Sequence, residues 1–538
     1  MDGFLSSANR WHTLIVAAAA SVVFWLAQPP CGLRPLAWSV PVAWAYLVKL
    51  PTLPGRRPYL MLWLAGMLYW LLAVYWVCLP HPVTSLGWLA LAAYLGVYLP
   101  LFIGLSRVAV RWCPVNVACA VVWMGLELAQ AHLLSGFHMA ALSHTQFRWL
   151  NLIQIADLGG SYLVSGLIVF VGASITMAIQ ARTVVPRGIP LAAALVLLAS
   201  TLIYGSLSQS LATTEPGLHV ALIQGSIPMR VVSSADEYRV VREATNREYF
   251  TLTESALRER PQTELVIWPE TMVTESYVSV DSDVTQIDGQ SVTREQIENM
   301  VLTQQGKIGS IARRFDRPML LGIDAWNYTK NGQQRFNSAV LVDRAGRLGV
   351  RYDKMHPVMF GEYIPGADWI PGLYQITPLT GGIEWGKSAL AAQVANRADE
   401  RFTLCPSICY ESVLSHVIRR QVTQLRAKNL EPDVLVNLTN DGWFHGSAEL
   451  DMHLVCGVFR AIECRKPFLV AANTGISAVI DGNGQIVARG GKQQSTYVAA
   501  EVRRDPRRSL YLAWGDLPAG ACLLTCVVLA GLGIRRRS

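Results

Sequence analysis

Charged side chains are scarce along the first 207 residues of this chain of 538. That segment holds ten Lys or Arg and only three acids, Asp2, Glu127 and Asp157. So few charges cannot solvate the surface of a water-soluble globule. Residues 208–516 hold 68 charged side chains, an ordinary density for a soluble domain. The composition therefore predicts a membrane part joined to a water-facing part.

The sequence also lacks the spacings typical of metal sites and local disulfides. It contains no Cys-x-x-Cys and no His-x3-His, so we expect no metal, and no cofactor motif stands out. Two local cysteine pairs are too far apart to form a disulfide, with about 12–13 Å between the two residues of each pair. They are Cys405 and Cys409 on a predicted strand, and Cys456 and Cys464 on a predicted helix. The net charge of +8 comes from residues that flank apolar runs, which argues against nucleic-acid binding.

Eight apolar runs approach the roughly 20 residues that a helix needs to cross a bilayer. With the N-terminus inside, eleven Lys or Arg fall in inside loops or the tail and two fall in outside loops. Cytoplasmic loops are enriched in these residues, so residues 208–516 are expected outside the cytoplasm. The runs are 13–29, 36–50, 59–79, 84–105, 115–134, 161–180, 188–207 and 517–534.

One carboxylate, Glu127, lies inside a predicted span, in the stretch Trp123-Met-Gly-Leu-Glu127. A carboxylate in lipid costs a few kcal/mol and needs a partner. Two interpretations are open: a polar lining that faces a substrate portal, or a hydrogen bond that packs two helices together.

The water-facing part alternates strand-like and helix-like stretches, with hairpin turns at Asp343–Gly346 and Asp481–Gly484. Such alternation predicts a layered α/β domain. The polar stretch 278–305 is interpreted in part as a surface insertion. The predicted domains are an N-terminal membrane domain at 1–207, a water-facing domain at 208–516, and a last membrane helix with a basic tail at 517–538.

Three side chains with acid, base or nucleophile chemistry lie at predicted strand ends or in the turns just after them: Glu270, Lys354 and Cys409. Functional side chains collect at such ends in α/β folds. A thiol that attacks an ester or amide needs a base for its proton and a cation for the developing oxyanion. A neighbouring lysine is also expected to lower the pKa of the thiol and to keep the carboxylate ionised. Taken singly, each residue is better explained as a turn cap, a surface lysine or a buried cysteine.

Three ordered motifs resemble the Glu–Lys–Cys set of the nitrilase, or carbon–nitrogen hydrolase, superfamily. They are WPE at 268–270, YDKMHPVMFGEYIPG at 352–366 and SICYES at 407–412. Along essentially its full length the chain is similar to the apolipoprotein N-acyltransferase family. This similarity is carried by WxxxE at 123–127, IQGSIP at 223–228, NLTNDGWF at 437–444, ANTGISAVIDGNG at 472–484 and the single C-terminal span.

The resemblance implies a nitrilase α-β-β-α sandwich together with about eight membrane helices. It assigns Glu270 as general base, Lys354 as the lysine that stabilises the tetrahedral intermediate, and Cys409 as nucleophile. It further implies that Glu362 positions the lysine and base, and that Tyr410 and Glu411 support full activity. The chain departs from the family in having no tryptophan between Leu207 and Trp268, where a substrate loop usually carries one. It departs again after Phe444, where HGSAELDMH replaces the usual pattern.

The implied reaction moves an acyl chain from a phospholipid to the N-terminal amine of a diacylated apolipoprotein, through a cysteine thioester and without a cofactor. The implied setting is the bacterial cytoplasmic (inner) membrane, with a monomeric enzyme whose catalytic domain faces the periplasm. Two alternatives remain. A membrane-anchored nitrilase-type amidase would share the same three residues and act on a small soluble amide. A transporter or scaffold with a degenerate domain would not need all three.

Overall fold

The computed structural model describes residues 2–181, 184–211, 217–229, 234–287, 289–367, 369 and 382–535. Some residues used in the sequence analysis lie outside that range. They are Arg182, Arg536 and Arg537, which were counted in the charge distribution, and residues 230–233, which belong to the segment without a tryptophan. All ten cysteines lie in the described residues, and none of them forms a disulfide.

The α-helices of the described residues follow the apolar runs of the first part and the amphipathic stretches of the second. They are α1 Asp2–Ala27, α2 Val40–Lys49, α3 Pro58–Ala73, α4 Thr84–Gly96, α5 Tyr98–Ala109, α6 Val115–His132, α7 Leu150–Ile153, α8 Ala156–Gly159, α9 Ser161–Gln180, α10 Val184–Ser210, α11 Ala235–Glu259, α12 Arg294–Phe315, α13 Ser415–Ala427, α14 Glu449–Cys464, α15 Leu510–Trp514 and α16 Leu517–Arg535.

The β-strands of the described residues all fall in the second part of the chain. They are β1 Leu218–Gln224, β2 Leu265–Val280, β3 Gln286–Ile287, β4 Gln290–Ser291, β5 Met319–Thr329, β6 Gly332–Val342, β7 Leu348–Asp353, β8 Ala392–Ala395, β9 Arg401–Ile408, β10 Val434–Thr439, β11 Phe468–Ala472, β12 Ala478–Ile480, β13 Ile486–Arg489 and β14 Thr496–Val502.

The chain divides into two compact units. The first contains Met1–Ala212, Ser447–Cys464 and Arg508–Ser538, and the second contains Thr213–Gly446 and Arg465–Arg507. The predicted domain boundaries stay a prediction. Helix α14 lies between two strands of the second part of the chain but groups with the helices of the first unit, which no sequence pattern indicated.

Six helical stretches among the described residues are long and apolar enough to cross a membrane, and they make the chain a membrane protein. The other two of the eight predicted runs form shorter helices, the ten-residue α2 and the sixteen-residue α3. Helix α3 ends at Ala73, where a 3₁₀ turn begins at Tyr75, so an unbroken apolar run does not make an unbroken helix. The six are Arg10–Ala27, Thr84–Ala109, Val115–Ser135, Ser161–Gln180, Gly188–Ser210 and Leu517–Ile534.

Glu127 lies buried on α6 and accepts a hydrogen bond from Ser165 Oγ on α9 at 3.0 Å. His138 Nε2 lies 3.6 Å from the same carboxylate oxygen. Of the two interpretations of this residue, the contact with Ser165 supports the hydrogen bond that packs two helices together.

The second unit is an α-β-β-α sandwich, which confirms the predicted fold class. One six-stranded sheet has the order β14-β1-β2-β5-β6-β7, and the other has the order β13-β12-β11-β10-β9-β8. Apolar side chains from both sheets, such as Leu222, Leu404 and Val436, fill the space between them. Helices α11 and α12 cover the outer face of the first sheet, where Tyr249 and Ile308 pack with Trp268. Burial of this apolar area is the main stabilising term.

The parallel strands of each sheet bring their carboxyl ends to one edge. Strand β2 pairs in parallel with β1 and β5, and β10 pairs in parallel with β9 and β11. Side chains at the ends of these strands therefore meet, as expected for sites in α/β folds. The two predicted hairpins are present, since β6 pairs with β7 and β12 pairs with β13 in antiparallel fashion.

Candidate active site

Glu270 lies within β2 at a break in the ladder with β5. Trp268 pairs with Leu321, but the next pairing is Val273 with Ile323, so the intervening residues of β2 bulge out of register. The sequence predicted only a short strand, and β2 in fact continues past the bulge to Val280. Gly322 permits the bulge, because a Cβ there would lie 2.1 Å from the carbonyl oxygen of Pro269.

The Glu270 carboxylate is 6% exposed and is held at both oxygens. Asn337 Nδ2 donates to Oε1 at 2.6 Å, and the main-chain N–H of Asn440 donates to Oε2 at 2.8 Å. Asn337 lies on β6, and Asn440 follows the end of β10. Three separate strands therefore fix the position of this one side chain.

Lys354 follows β7 and is fully buried. Its Nζ lies 2.8 Å from Glu362 and 3.6 Å from Glu270 Oε1, so one ammonium lies between two carboxylates. The main-chain N–H of Lys354 donates to Asn337 O at 2.9 Å, which continues the pairing of β6 and β7. Buried charges are tolerated when they are paired in this way.

Glu362 lies close to the lysine that it pairs with. It accepts a hydrogen bond from the main-chain N–H of Val358 at 2.7 Å, and its side chain is 20% exposed. Asn337 Nδ2 lies 3.4 Å from Glu362 Oε1 and thus contacts both carboxylates. Asn337 therefore contacts the same two carboxylates as Lys354 does, but as an uncharged donor.

Cys409 directly follows β9 and begins a 3₁₀ turn that runs to Val413. Its φ of +52° is in the left-handed region, which is rare for a residue with a side chain and is found at active sites. Its carbonyl oxygen accepts hydrogen bonds from Asn437 Nδ2 and Ser412 Oγ, both at 3.1 Å. Residue Cys409 is partly exposed, but its thiol is buried and lies within electrostatic reach of Glu270 and Lys354.

Glu411 is fully buried and holds two strand ends together. It accepts main-chain hydrogen bonds from Ile408 at 2.7 Å and from Met355 at 2.7 Å. Ile408 precedes Cys409, and Met355 follows Lys354. The Tyr352 hydroxyl donates to the same carboxylate at 2.8 Å. Burial raises the pKa of Glu411 to about 7, although these hydrogen bonds lower it in part.

Tyr410 lies beside the nucleophile candidate and faces an aromatic group. Its ring stacks on that of His356 with centroids 6.3 Å apart, and His356 contacts Trp385 edge-on at 5.9 Å. Trp385 in turn contacts Tyr363. These four rings form an aromatic group that includes the residue directly after Cys409 in the chain.

The prediction that a neighbouring lysine lowers the pKa of the Cys409 thiol is wrong. Burial raises the pKa of Cys409 well above its usual value, the Glu270 carboxylate raises it further, and Lys354 lowers it by less than these two together. Burial likewise raises the pKa of Glu270 against the lowering effect of Lys354. Burial alone would lower the pKa of Lys354, but Glu362, Cys409 and Glu270 raise it above its usual value. The thiol therefore rests protonated and needs a base when it attacks.

Sequence reasoning missed the asparagines that hold the site, Asn337, Asn437 and Asn440. Asn437 and Asn440 stand in the motif NLTNDGWF, so the motif marked the place without revealing the contacts. No sequence signal marked Asn337, which is 17 residues before Lys354 on another strand. Of the predicted site residues, Lys354 and Cys409 directly follow strands, whereas Glu270 lies at a bulge within β2 and Glu362 in the segment after β7. The structure brings these four residues together.

The arrangement defines a domain of the nitrilase type, and two family models match the chain. Residues 219–510 match the carbon-nitrogen hydrolase model, and residues 20–174 match the model of the apolipoprotein N-acyltransferase N-terminal domain.

Three curated relatives, each named apolipoprotein N-acyltransferase, are similar over almost the whole chain. The Rhodopirellula baltica protein is 31% identical over 97% of each chain. The Geobacter metallireducens protein is 31% identical over 97% of this chain and 96% of its own. The Rhodopseudomonas palustris protein is 26% identical over 98% of this chain and 96% of its own. The chain belongs to the apolipoprotein N-acyltransferase family, and it is an enzyme of the transferase class.

Proposed function

We propose that this protein transfers a fatty acyl chain from a membrane phospholipid to the N-terminal α-amine of a diacylglyceryl-cysteine lipoprotein. The transfer proceeds through a thioester on Cys409, so the two substrates react in turn. The observation that carries the proposal is the buried ammonium of Lys354 between Glu270 and Glu362, beside a cysteine at a strand end. Family membership and six apolar helices support the lipid substrates.

In the first half-reaction, the Cys409 sulfur attacks the carbonyl carbon of a glycerol ester. Glu270 accepts the thiol proton as the S–C bond forms, which suits a thiol whose pKa is raised. Lys354 and a main-chain N–H stabilise the oxyanion of the tetrahedral intermediate. Collapse of the intermediate breaks the C–O bond, and Glu270 returns the proton to the leaving alkoxide. Lysophospholipid departs and the thioester remains.

In the second half-reaction, the α-amine of the lipoprotein attacks the thioester carbonyl. Glu270 removes a proton from the amine, and Lys354 again stabilises the oxyanion. The C–S bond breaks, the sulfur regains the proton, and the product is an amide. Water would hydrolyse the thioester during the wait for the amine, so the site must exclude it. The aromatic group of Tyr410, His356 and Trp385 is suited to that exclusion.

Each remaining site residue has a role that follows from its contacts. Glu362 neutralises Lys354 and leaves Glu270 free to take a proton. Glu411 fixes the main chain beside both Lys354 and Cys409, and Tyr410 belongs to the aromatic group with His356 and Trp385. These are positioning roles, because no substrate atom need touch Glu362 or Glu411.

We further propose that the protein acts as a monomer in the bacterial cytoplasmic membrane, with residues 208–516 on the periplasmic side. The Lys and Arg distribution supports this orientation. Both proposed substrates are anchored in a bilayer by lipid chains, and an enzyme with membrane-spanning helices lies in the same bilayer.

The proposal is tested with purified full-length protein, phospholipid with a labelled acyl chain, and a diacylated lipopeptide. We expect the lipopeptide to gain one labelled acyl group on its α-amine, and Cys409→Ala to abolish the gain. Release of ammonia from a small soluble amide without lipid, with no acylation of the lipopeptide, would instead support the amidase alternative.

A further inference from the structure

The side chain of Asn473, the first residue after β11, is fully buried in the second unit and uses all of its hydrogen-bonding positions. Its Nδ2 donates to Ile227 O at 2.8 Å and to Asn440 Oδ1 at 3.0 Å. Its Oδ1 accepts from Ile227 N at 2.9 Å and from the Tyr249 hydroxyl at 3.1 Å. A side-chain amide has two donors and two acceptor positions, so this one is fully satisfied.

One pair of these bonds holds the segment that leaves β1. Asn473 pairs with both main-chain groups of Ile227, as a neighbouring strand would. The main-chain N–H of Ser226 also donates to Asn473 O at 3.0 Å, and Ser226 has a φ of +53°. Residues 225–229 lie beyond the sheet ladder, so the amide substitutes for the missing strand partner.

The remaining donor of Asn473 leads towards Glu270. Asn440 Oδ1 accepts from Asn473 and, at 3.3 Å, from Gly442 N, which fixes how Asn440 lies. The main-chain N–H of the same Asn440 donates to Glu270 Oε2. Two hydrogen bonds therefore connect Asn473 with a carboxylate oxygen that it does not touch.

We propose that Asn473 is a positioning residue that ties segment 225–229 to Glu270 through Asn440. The inference rests on the proposed function, in which Glu270 is the base. By holding the Asn440 side chain, Asn473 keeps the main-chain N–H of Asn440 directed at the Glu270 carboxylate. This hydrogen bond favours the ionised form of Glu270, which accepts the thiol proton. The same amide anchors segment 225–229, so a displacement of that segment changes the donor to the base.

The test is the pH dependence of thioester formation from labelled phospholipid, measured in single turnovers with the full chain. In the wild type, the rate of thioester formation falls at low pH as Glu270 becomes protonated; this fall is the acid limb of the pH profile. Asn473→Ala loosens Asn440, so the limb moves to higher pH by up to about one unit. The rate then falls by up to about tenfold at pH values below the limb and equals the wild-type rate well above it.

Two variants serve as controls for a purely structural effect. Asn483→Ala removes another buried asparagine of the second unit, which accepts from Arg507 Nη2 at 2.7 Å in the turn between β12 and β13. Tyr249→Phe removes one bond to Asn473 but leaves its bond to Asn440 intact. Both are expected to leave the acid limb in place even where they lower Tm.

If Asn473→Ala does not fold, Asn440→Ala breaks the same contact from the other side and is expected to shift the limb equally. An unshifted limb in the folded variant, with only Tm lowered, would show that Asn473 supports the fold alone and would overturn the inference. A wild type that forms no thioester would overturn the proposed function, and this inference with it.

Discussion

Lys354 and Glu362 form an ion pair whose lysine is fully buried, with Nζ 2.8 Å from both oxygens of the carboxylate. The second carboxylate, Glu270, lies 3.6 Å from the same ammonium and is bonded instead to Asn337 and to the N–H of Asn440. The two acids are thus unequal partners of one cation. Glu362 supplies the counter-charge, and Glu270 is left able to exchange a proton.

That inequality predicts the effect of Glu362→Gln. Without the counter-charge, Lys354 pairs more closely with Glu270 and makes it a weaker base, so thioester formation slows about 100-fold. Single-turnover labelling by phospholipid measures this rate. Glu384→Gln, an exposed change in the segment after the site, is the matched control and should retain the wild-type rate. Equal rates in the two variants would contradict the role given to Glu362.

The buried carboxylate of Glu411 is expected to be essential for stability around the site. Glu411→Gln places an amide NH₂ among main-chain N–H donors of Ile408, Met355 and His356 and leaves some without an acceptor. The loss is about 2–4 kcal/mol, seen as a lower Tm. Tyr352→Phe removes the hydroxyl that donates to the same carboxylate and accepts from Gln421 Nε2 at 2.6 Å, and it should cost about 1–2 kcal/mol. A Glu411→Gln protein as stable as Tyr352→Phe would contradict this account.

The raised pKa of Cys409 predicts a thiol that reacts slowly with alkylating reagents at neutral pH. The thiolate is the reactive form, and it becomes appreciable only above the ordinary cysteine range, so alkylation of Cys409 should keep rising beyond pH 9. Mass spectrometry of the Cys409 peptide gives the rate, with exposed Cys31 as an internal reference for the reagent. Fast, pH-independent alkylation near pH 7 would show a lowered pKa instead.

The orientation of the chain is tested by labelling with a membrane-impermeant maleimide in intact cells, with the exposed Cys31 first replaced by Ser. A cysteine introduced by Asn331→Cys, in the exposed β5–β6 turn, should be labelled from outside. Arg111→Cys lies in an exposed loop between α5 and α6, which the charge distribution places inside, and should be labelled only after permeabilisation. The reverse pattern would contradict the periplasmic location.

Strand order along the chain and the chemistry at strand ends were predictable, because alternation and turn residues are local signals. The bulge that aims Glu270 was not, since it depends on how β2 meets β5 and on the lack of a Cβ at Gly322. The contact of Asn337 with two acids depends on pairing of β6 with β7. The predicted direction of the Cys409 pKa shift was wrong, because the sequence shows which charged residues are available but not how deeply the thiol is buried.

The most direct measurement of the central claim is isolation of the protein after incubation with labelled phospholipid alone. The account predicts one label per chain, on Cys409, that hydroxylamine releases and that a diacylated lipopeptide removes by becoming N-acylated. Cys409→Ser would separate a thioester from an oxygen ester by its resistance to hydroxylamine at neutral pH. A wild-type chain that acylates the lipopeptide with no label ever present on Cys409 would contradict the thioester mechanism.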